Sequence, residues 1–544
     1  MPRGSSTEQA PRLLGVTATA EAEVSASRRQ APLMAVGTML SRLTGFVRTA
    51  AIVAALGVSR VGDAYNTANT LPNILFFLVT GGTVTSVLVT LLAQASDDVE
   101  RRRRAEVIGG AVVALTGLTS VAVLLLAPLI MRLYAIELRG SADYAAYLSV
   151  ASPWLMLFAP QIVCYGLSTY ATAVLNAKGK LALAGFAPVA TNLVTIAGAA
   201  GYVATGGGQL AAVGTVPLVT LGAATTAGVA AMAAIQLWGA RRVLPGLKPR
   251  LRRRDPILGE LLRLGRWTFL YVVANQVGLL VVIALATPAR GAVTAYQTAF
   301  MIMQLPFAIV AVSLFSALAP RLATAARDDR AGFAAAFSSG FRLSTALLLP
   351  AAVGLVALAE PITQMLIGYG QVSLQGTELV AVALRGFGVS LVPFTLFQLL
   401  TRGYYSLPDA RTPALANIAV NAVNIVGAVV LVALSANDRQ RVTGLVVAYG
   451  LSYVTGVAVL GTLLARLRPG LWRGAARAVG TAGAASAAMA GTLLALQRLW
   501  APPAGTATAN LRSLTLIAAG AATYLAVALI GRSRELAELR GNAQ

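Results

Sequence analysis

The chain is a succession of apolar stretches about twenty residues long, joined by short loops whose charge alternates. As helices, stretches of that length match the hydrocarbon thickness of a bilayer. They fall near 31–56, 68–95, 107–134, 147–176, 184–205, 212–240, 262–288, 294–322, 337–358, 379–401, 412–435, 441–465, 476–497 and 510–531. About fourteen such spans predict an all-α polytopic membrane protein, because a lipid-exposed chain must satisfy its backbone hydrogen bonds internally. Composition agrees: 57% of residues are hydrophobic and 12% charged, against about 25% charged in an ordinary soluble domain. The sequence predicts interruptions at Leu71-Pro72 in the second span and at Leu305-Pro306 in the eighth. The first span is only weakly apolar, because it carries Arg42 and Arg48.

Charge gives the spans a direction. One set of loops is basic: Arg101–Arg104, Lys178/Lys180, the stretch Arg241 to Arg254 with seven Lys/Arg, Arg321/Arg327/Arg330, Arg402/Arg411 and Arg466/Arg468/Arg473/Arg477. The intervening loops hold one or two each, such as Arg60, Arg290 or Arg439/Arg441. The positive-inside rule puts the basic set in the cytoplasm, and an even span count puts both termini there too. The net charge of +23 is therefore mainly topogenic. No basic run is interleaved with aromatics on a soluble module, so no nucleic-acid partner is expected. Residues 1–30 lack an apolar core segment and read as a disordered cytoplasmic tail rather than a cleavable signal peptide. Residues 532–544 form a short charged tail.

The two halves resemble each other. Ala64-Tyr65-Asn66-Thr67-Ala68 followed by Leu71-Pro72 echoes Ala295-Tyr296-Gln297-Thr298-Ala299 followed by Leu305-Pro306. The segment Asn176 to Asn192 likewise resembles Ser406 to Asn421. The offset equals six spans. Six is even, so both copies enter the membrane in the same direction and are related by an axis along its normal. The expected organisation is an N-lobe over 31–241, a basic linker over 242–261, a C-lobe over 262–466 and a helix pair over 467–531.

Charges inside a membrane are costly and by default mark function. In the first span Ser41 and Arg48 share a helix face, while Arg42 is rotated about 120° from Arg48. A pair spread this widely needs a broad wet surface. Gly45 between them permits a kink or close packing. Asp63, beyond the other end of this span, either caps the next helix or acts in gating. Pro72 and Pro306 are kinks or hinges. Arg263 and Arg266, at the start of span 7, either snorkel to the interface or line the mouth of a central cavity. Arg385 reads as interfacial. Asn275, Gln276, Gln304, Gln398, Asn417, Asn421 and Asn424 are polar groups suited to interhelical hydrogen bonding.

Chemistry in the catalytic sense finds little support. The chain has no histidine and a single cysteine, Cys164, which removes the commonest general base, the commonest metal ligand and any intramolecular disulfide. No carboxylate pair sits in a span, and no metal-ligand spacing or ATP-binding motif is present. No enzyme activity and no cofactor are expected. A monovalent coupling ion stays open, without an assigned site.

The stretch Ser41-Arg42-Leu43-Thr44-Gly45-Phe46-Val47-Arg48, then Asp63-Ala64-Tyr65, Leu71-Pro72-Asn73 and Gly81-Gly82, resembles the N-terminal signature of the MurJ (MviN) family, lipid II flippases of the MOP exporter superfamily. Arg402-Gly403-Tyr404-Tyr405-Ser406 and Asp409 through Pro413 resemble a later segment of that family. The resemblance covers about residues 31–530. It implies a bacterial plasma-membrane protein that moves undecaprenyl-diphosphate-linked disaccharide-pentapeptide to the outer leaflet for peptidoglycan synthesis by alternating access. Ser41, Arg42 and Arg48, with Arg263 or Arg266, would then hold the headgroup. Gly45, Asp63, Pro72, Asn73, Gly82 and Pro306 would serve gating or structure. Membrane lipids and cell-wall synthesis or division proteins are the other candidate partners. The chain departs from the family where Phe76, Phe77, Gly81 and Met301 replace residues that are often charged. A lipid-linked polysaccharide flippase, a small-molecule antiporter of the same superfamily and, further off, a membrane glycosyltransferase or a cell-wall scaffold are the alternatives.

Overall fold

The computed structural model describes residues 33–34, 36–80, 84–208, 210–252, 254–326, 329–501 and 505–530. The two tails and Gly81-Gly82 lie outside them. Every regular element among the described residues is helical. The N-lobe holds α1 (Val36–Leu56), α2 (Arg60–Thr80), α3 (Val84–Ala93), α4 (Asp98–Tyr134), α5 (Asp143–Phe158), α6 (Gln161–Ala177), α7 (Leu181–Ala204) and α8 (Thr215–Val243). The C-lobe holds α9 (Pro256–Ala286), α10 (Ala292–Pro306), α11 (Val312–Ala325), α12 (Arg330–Ala357), α13 (Ala359–Ile367), α14 (Leu374–Ser406), α15 (Arg411–Ala433) and α16 (Asp438–Leu467). The last pair is α17 (Ala475–Leu499) and α18 (Thr506–Ile530).

Among the described residues, 13 helical segments are long and apolar enough to cross a membrane, with α5 and α6 forming one of them. The remaining expected pass is the second, made by α2 and α3. It misses that standard because α2 carries Asp63, Asn66, Thr67, Asn69, Thr70 and Asn73. Polar residues at this density belong to a helix that faces protein and water rather than lipid.

The expected break at Pro72 is corrected: α2 runs through Pro72 without interruption from Arg60 to Thr80. A proline inside a membrane helix frees one carbonyl, which neighbouring helices can satisfy. The counterpart does interrupt its span. α10 ends at Pro306 and a π-helical turn, Phe307–Ala311, leads into α11.

Helix starts follow local capping chemistry. Asp97 accepts from the Glu100 amide to open α4, Asp255 accepts from the Ile257 amide with Pro256 in the first turn of α9, and Asn437 accepts from the Gln440 amide at α16. Between helices, small residues let backbones approach. A Cβ on Gly228 of α8 would stand 2.8 Å from the Thr191 carbonyl oxygen of α7.

The internal repeat is legible in this packing. In the N-lobe, Asn192 of α7 donates to the Ser41 carbonyl (3.0 Å) and the Thr44 hydroxyl (2.9 Å) of α1, beside Gly45. In the C-lobe, Asn417 of α15 donates to the Tyr271 carbonyl (2.9 Å) of α9, and Asn421 donates to Asn275 (3.0 Å), beside Gly278. Of the asparagines read as interhelical glue, Asn275, Asn417 and Asn421 do that here. Gly45 is thus a contact residue, with Asn192 Nδ2 at 3.5 Å from the position a Cβ would take. Arg385 pairs with Glu360 at 2.6 Å.

The linker is not a free tether. Leu244, Leu247 and Ile257 are buried in a hydrophobic cluster with Leu88, Leu91, Ile108 and Tyr170 of the N-lobe. The Arg250 amide donates to the Glu106 carbonyl at 2.8 Å, and Arg103 pairs with Asp255 at 2.8 Å. The first turn of α9 therefore rests on the N-lobe while its middle packs on α15. A Cβ at Gly278 would lie 2.4 Å from Asn421 Oδ1. Gly278→Ala should displace Asn421 from Asn275 and cost about 1–3 kcal/mol, read as a thermal midpoint lowered by several degrees in detergent, with Gly480→Ala, where nothing lies within 4 Å, unchanged.

Candidate functional site

The site lies where α2 and α10, the two copies of the repeat, cross each other. Asp63 in the first turn of α2 is fully buried. Its carboxylate accepts from the Gly291 amide at 2.6 Å, from the Thr294 amide at 2.9 Å and from the Thr294 hydroxyl at 2.9 Å. Those donors belong to the start of α10, in the other lobe. Of the two roles expected for Asp63, capping its own next helix is corrected: it caps α10 across the lobe boundary. Gly291 adopts φ of 77°, and a Cβ there would lie 2.8 Å from the Val58 carbonyl oxygen. Only glycine lets the loop come this close.

Arg60 grips the other side of the same loop. It is 8% exposed and donates to the Thr287 carbonyl at 2.5 Å and the Pro288 carbonyl at 2.9 Å. Thr287 is the C-cap of α9. The N-lobe thus places a cation on the C-terminus of α9 and an anion on the N-terminus of α10, each matched to the helix dipole it meets. Asp143 of α5 joins Arg60 (3.3 Å) to Arg290 (2.8 Å). One turn further in, Asn66 donates to Thr294 at 3.1 Å and Gln297 donates to Thr70 at 3.0 Å. The two donors occupy the same place in their respective repeats, although their acceptors do not.

The flanking tyrosines repeat as well. Tyr65 packs edge-on against Trp154 and Phe158 of α5, and Tyr296 packs edge-on against Phe387 of α14. Each repeat copy is seated in its own lobe by an aromatic contact and meets the other copy through polar groups.

Cavities lie on both sides of this crossing. On the side away from the basic loops is a vestibule of about 890 Å³, whose lining includes Arg60, Asp143, Arg290, Glu378, Asp438 and Arg439. On the inner side is a polar cavity of about 160 Å³, lined among others by Arg48, Asn66, Asn69, Tyr165, Thr195 and Gln297. A polar space of this size holds water.

The residues expected to bind substrate are placed as follows. Ser41 and Arg48 share the face of α1 that meets α7, and Arg48 lines the inner cavity. Its Nε is buried with no hydrogen-bond partner among the described residues. Arg42 sits on the flank of α1 and is exposed. Arg263 and Arg266 are exposed on α9, with no carboxylate partner among the described residues. No direct contact joins these arginines among the described residues. Asn73 lies beside Tyr165, which lines the cavity with Arg48. Phe76, one of the departures from the family pattern, stacks on that same Tyr165, and Met301, another, lines the cavity. Gly82 lies outside the described residues.

At the basic end several N-lobe cations are paired. Lys178 donates to Asp98 at 2.6 Å and holds its carboxyl below the usual range. Arg101 reaches the same carboxylate, and Arg104 pairs with Glu100 at 2.5 Å.

Sequence reasoning missed Arg60, Asp143 and Arg290, which look like ordinary loop charges. The Asn66/Gln297 pair was marked by the repeat, although a repeat does not say that its copies touch.

Comparison with known proteins gives a consistent result. Residues 52–514 match the family model described as lipid II flippase MurJ. A probable lipid II flippase MurJ of Rhizobium meliloti (strain 1021) is 32% identical over 507 residues, covering 90% of this chain and 91% of the relative. A probable lipid II flippase MurJ of Thermotoga maritima is 26% identical over 504 residues, covering 92% and 96%. Among solved structures, a lipid II flippase MurJ in an inward closed conformation superposes with a TM-score of 0.76 at 19% identity, covering 93% of this chain and all of that one. An inward-facing MATE multidrug transporter of the MOP superfamily gives 0.62 at 13% identity, covering 78% and 95%. At these identities the structural likeness speaks for the fold.

Replacing Asp63 by Ala removes three hydrogen bonds and a dipole match, worth about 2 kcal/mol or more to the closed crossing. In a Cys164→Ser background, Asn69→Cys below the crossing should react about tenfold faster with an impermeant thiol reagent supplied from the vestibule side once Asp63→Ala is added. An unchanged rate would show that the carboxylate does not hold the crossing shut.

Proposed function

The chain belongs to the MurJ family of lipid II flippases, and from that premise we propose that it moves its substrate by rocking two lobes about the α2–α10 crossing. The observation that carries this reading is the pair of cavities separated by a thin polar seal, with Arg48 below it and the charged vestibule above. A flippase needs a polar path across the membrane that is never open at both ends. A seal of hydrogen bonds to one loop can open in a single movement, because Arg60 and Asp63 both release the 287–294 segment together.

The basic end is proposed as cytoplasmic, by the charge asymmetry of the loops. The described state is then closed toward the outside. Lipid II meets the lobes from the cytoplasmic leaflet, and its diphosphate is held by Arg42 and Arg48, with Ser41 beside them. Arginine suits the task because its planar fork stays charged in a low-dielectric site and binds phosphate oxygens in pairs. Arg48 is prepared for it: its Nε has no competing partner among the described residues, and the small cavity keeps the guanidinium hydrated. Once the seal opens, the headgroup passes into the vestibule, where Arg60, freed from the loop, replaces part of the lost charge pairing.

The process makes and breaks no covalent bond, so the protein acts as a carrier and not as an enzyme. Moving an anion outward is favoured by an inside-negative potential, by about 2.3 kcal/mol per charge per 100 mV. That supplies a driving force without a bound cofactor, and a monovalent coupling ion remains an additional proposal with no assigned residues.

Arg48→Ala should abolish complementation of a flippase-depleted bacterial strain while membrane insertion is unchanged, and Arg42→Ala should weaken it. Full complementation by both variants would contradict the headgroup site. For orientation, a cysteine at Lys248 should be shielded from an impermeant reagent outside intact cells, and one at Gly208 should be labelled.

A further inference from the structure

The basic end of the C-lobe carries a group of arginines gathered around one indole. Trp267 of α9 is half-buried, with the Arg266 guanidinium 5.5 Å from its ring centroid and the Arg411 guanidinium 5.6 Å from it. Tyr405, at the end of α14, is 42% exposed. Arg402 lies within electrostatic reach of both Tyr405 and Tyr271. Arg266, Arg402 and Arg411 are all exposed, and none has a carboxylate partner among the described residues. Arg242 of the N-lobe also lies over a tryptophan, Trp238, at 3.9 Å; what sets the C-lobe group apart is that two guanidinium groups share one indole.

The scaffold beneath these cations is fixed. Tyr271, one turn along α9 from Trp267, receives Asn417 of α15 on its carbonyl at 2.9 Å. The buried Tyr404 donates to the Leu460 carbonyl of α16 at 3.3 Å. Asp409, the nearest acidic residue in the turn, accepts from the Thr412 amide at 3.0 Å. A guanidinium resting on an aromatic face keeps its N–H groups free for an anion, and the stacking reduces the freedom that binding would otherwise have to remove. Two such groups beside one indole offer a concentrated positive charge to a polyvalent anion. A half-exposed tyrosine nearby offers a flat face to a pyranose ring.

We propose that Arg266 and Arg411, positioned by Trp267 and flanked by Arg402 and Tyr405, form a capture site for the diphosphate of the lipid-linked glycan at the mouth of the C-lobe, distinct from the Arg48 site. This rests on the flippase reading, because a capture site has a purpose only ahead of a transport path. Trp267 is a positioning residue here, and the two arginines are the binding groups.

The test uses the full-length protein in phosphatidylglycerol-containing nanodiscs, with binding of undecaprenyl diphosphate, undecaprenyl monophosphate and lipid II measured separately. The Arg48→Ala variant removes the deeper site. In that background, undecaprenyl diphosphate should still bind in preference to the monophosphate, and adding Arg411→Ala should weaken diphosphate binding about tenfold and erase the preference. Trp267→Leu should weaken it severalfold, and Trp267→Phe should restore it. In the otherwise unchanged protein, Arg411→Ala should raise the half-saturating lipid II concentration for transport and leave the maximal rate nearly as it was. Binding within twofold of the parent in the Arg411→Ala and Trp267→Leu variants would overturn the proposal. So would equal displacement of diphosphate and monophosphate by added phosphatidylglycerol, which would make the group an ordinary anionic-lipid contact. Failure of the unmutated protein to bind lipid II at all would instead strike the flippase reading, and the capture site with it.

Discussion

Everything that distinguishes this helical bundle from a rigid one depends on how the N-lobe holds the loop between α9 and α10. Arg60 meets the carbonyl end of α9, and Asp63 meets the amide end of α10. Both are buried charges, which the interior tolerates only when they are fully partnered. The partners lie almost wholly on the opposite lobe, so the cost of separating the lobes is concentrated in one segment. Such a contact is bistable by construction: with the loop in place both charges are satisfied, and with the loop withdrawn both need water. The vestibule just outside supplies that water as soon as the segment moves.

The internal repeat explains why the seal sits where it does. Duplicated lobes packed about an axis must bring some element into contact with its own copy. Here that element is the Ala-Tyr-Asn/Gln-Thr-Ala segment, whose equivalent residues Asn66 and Gln297 each donate to the other lobe, to Thr294 and Thr70. The pairing departs from symmetry where function needs it. Asp63 faces Thr294, its counterpart in the second copy, so one lobe supplies the acceptor and the other the donors.

Much of this was legible in the sequence, for definite reasons. Span length, loop charge and the six-span offset are one-dimensional signals, and the helices follow them. The arginines of α1 stood out because a charge in an apolar stretch is expensive, and Ser41 and Arg48 do share a helix face. What could not be read was anything that depends on which loops meet. Asp63 looked like a cap and is one, though for a helix of the other lobe. Arg60, Asp143 and Arg290 carried no local signal, since a charge beside a span end is ordinary. Pro72 resembled Pro306 in its setting, yet only Pro306 ends its helix, with a π turn following it. The first half of α2 is polar because it meets the other lobe, through Asp63, Asn66 and Thr70.

The central claim is that the α2–α10 crossing must open in each cycle. The Ala54 carbonyl accepts from the Gln371 amide at 2.8 Å beside this crossing, so cysteines at these two positions can bridge the lobes by a disulfide. With Cys164 replaced by serine, the double variant should transport lipid II in proteoliposomes when reduced. When oxidised it should lose transport and still bind lipid II from the basic side, and reduction should restore transport. Undiminished transport by the fully cross-linked protein would contradict the account.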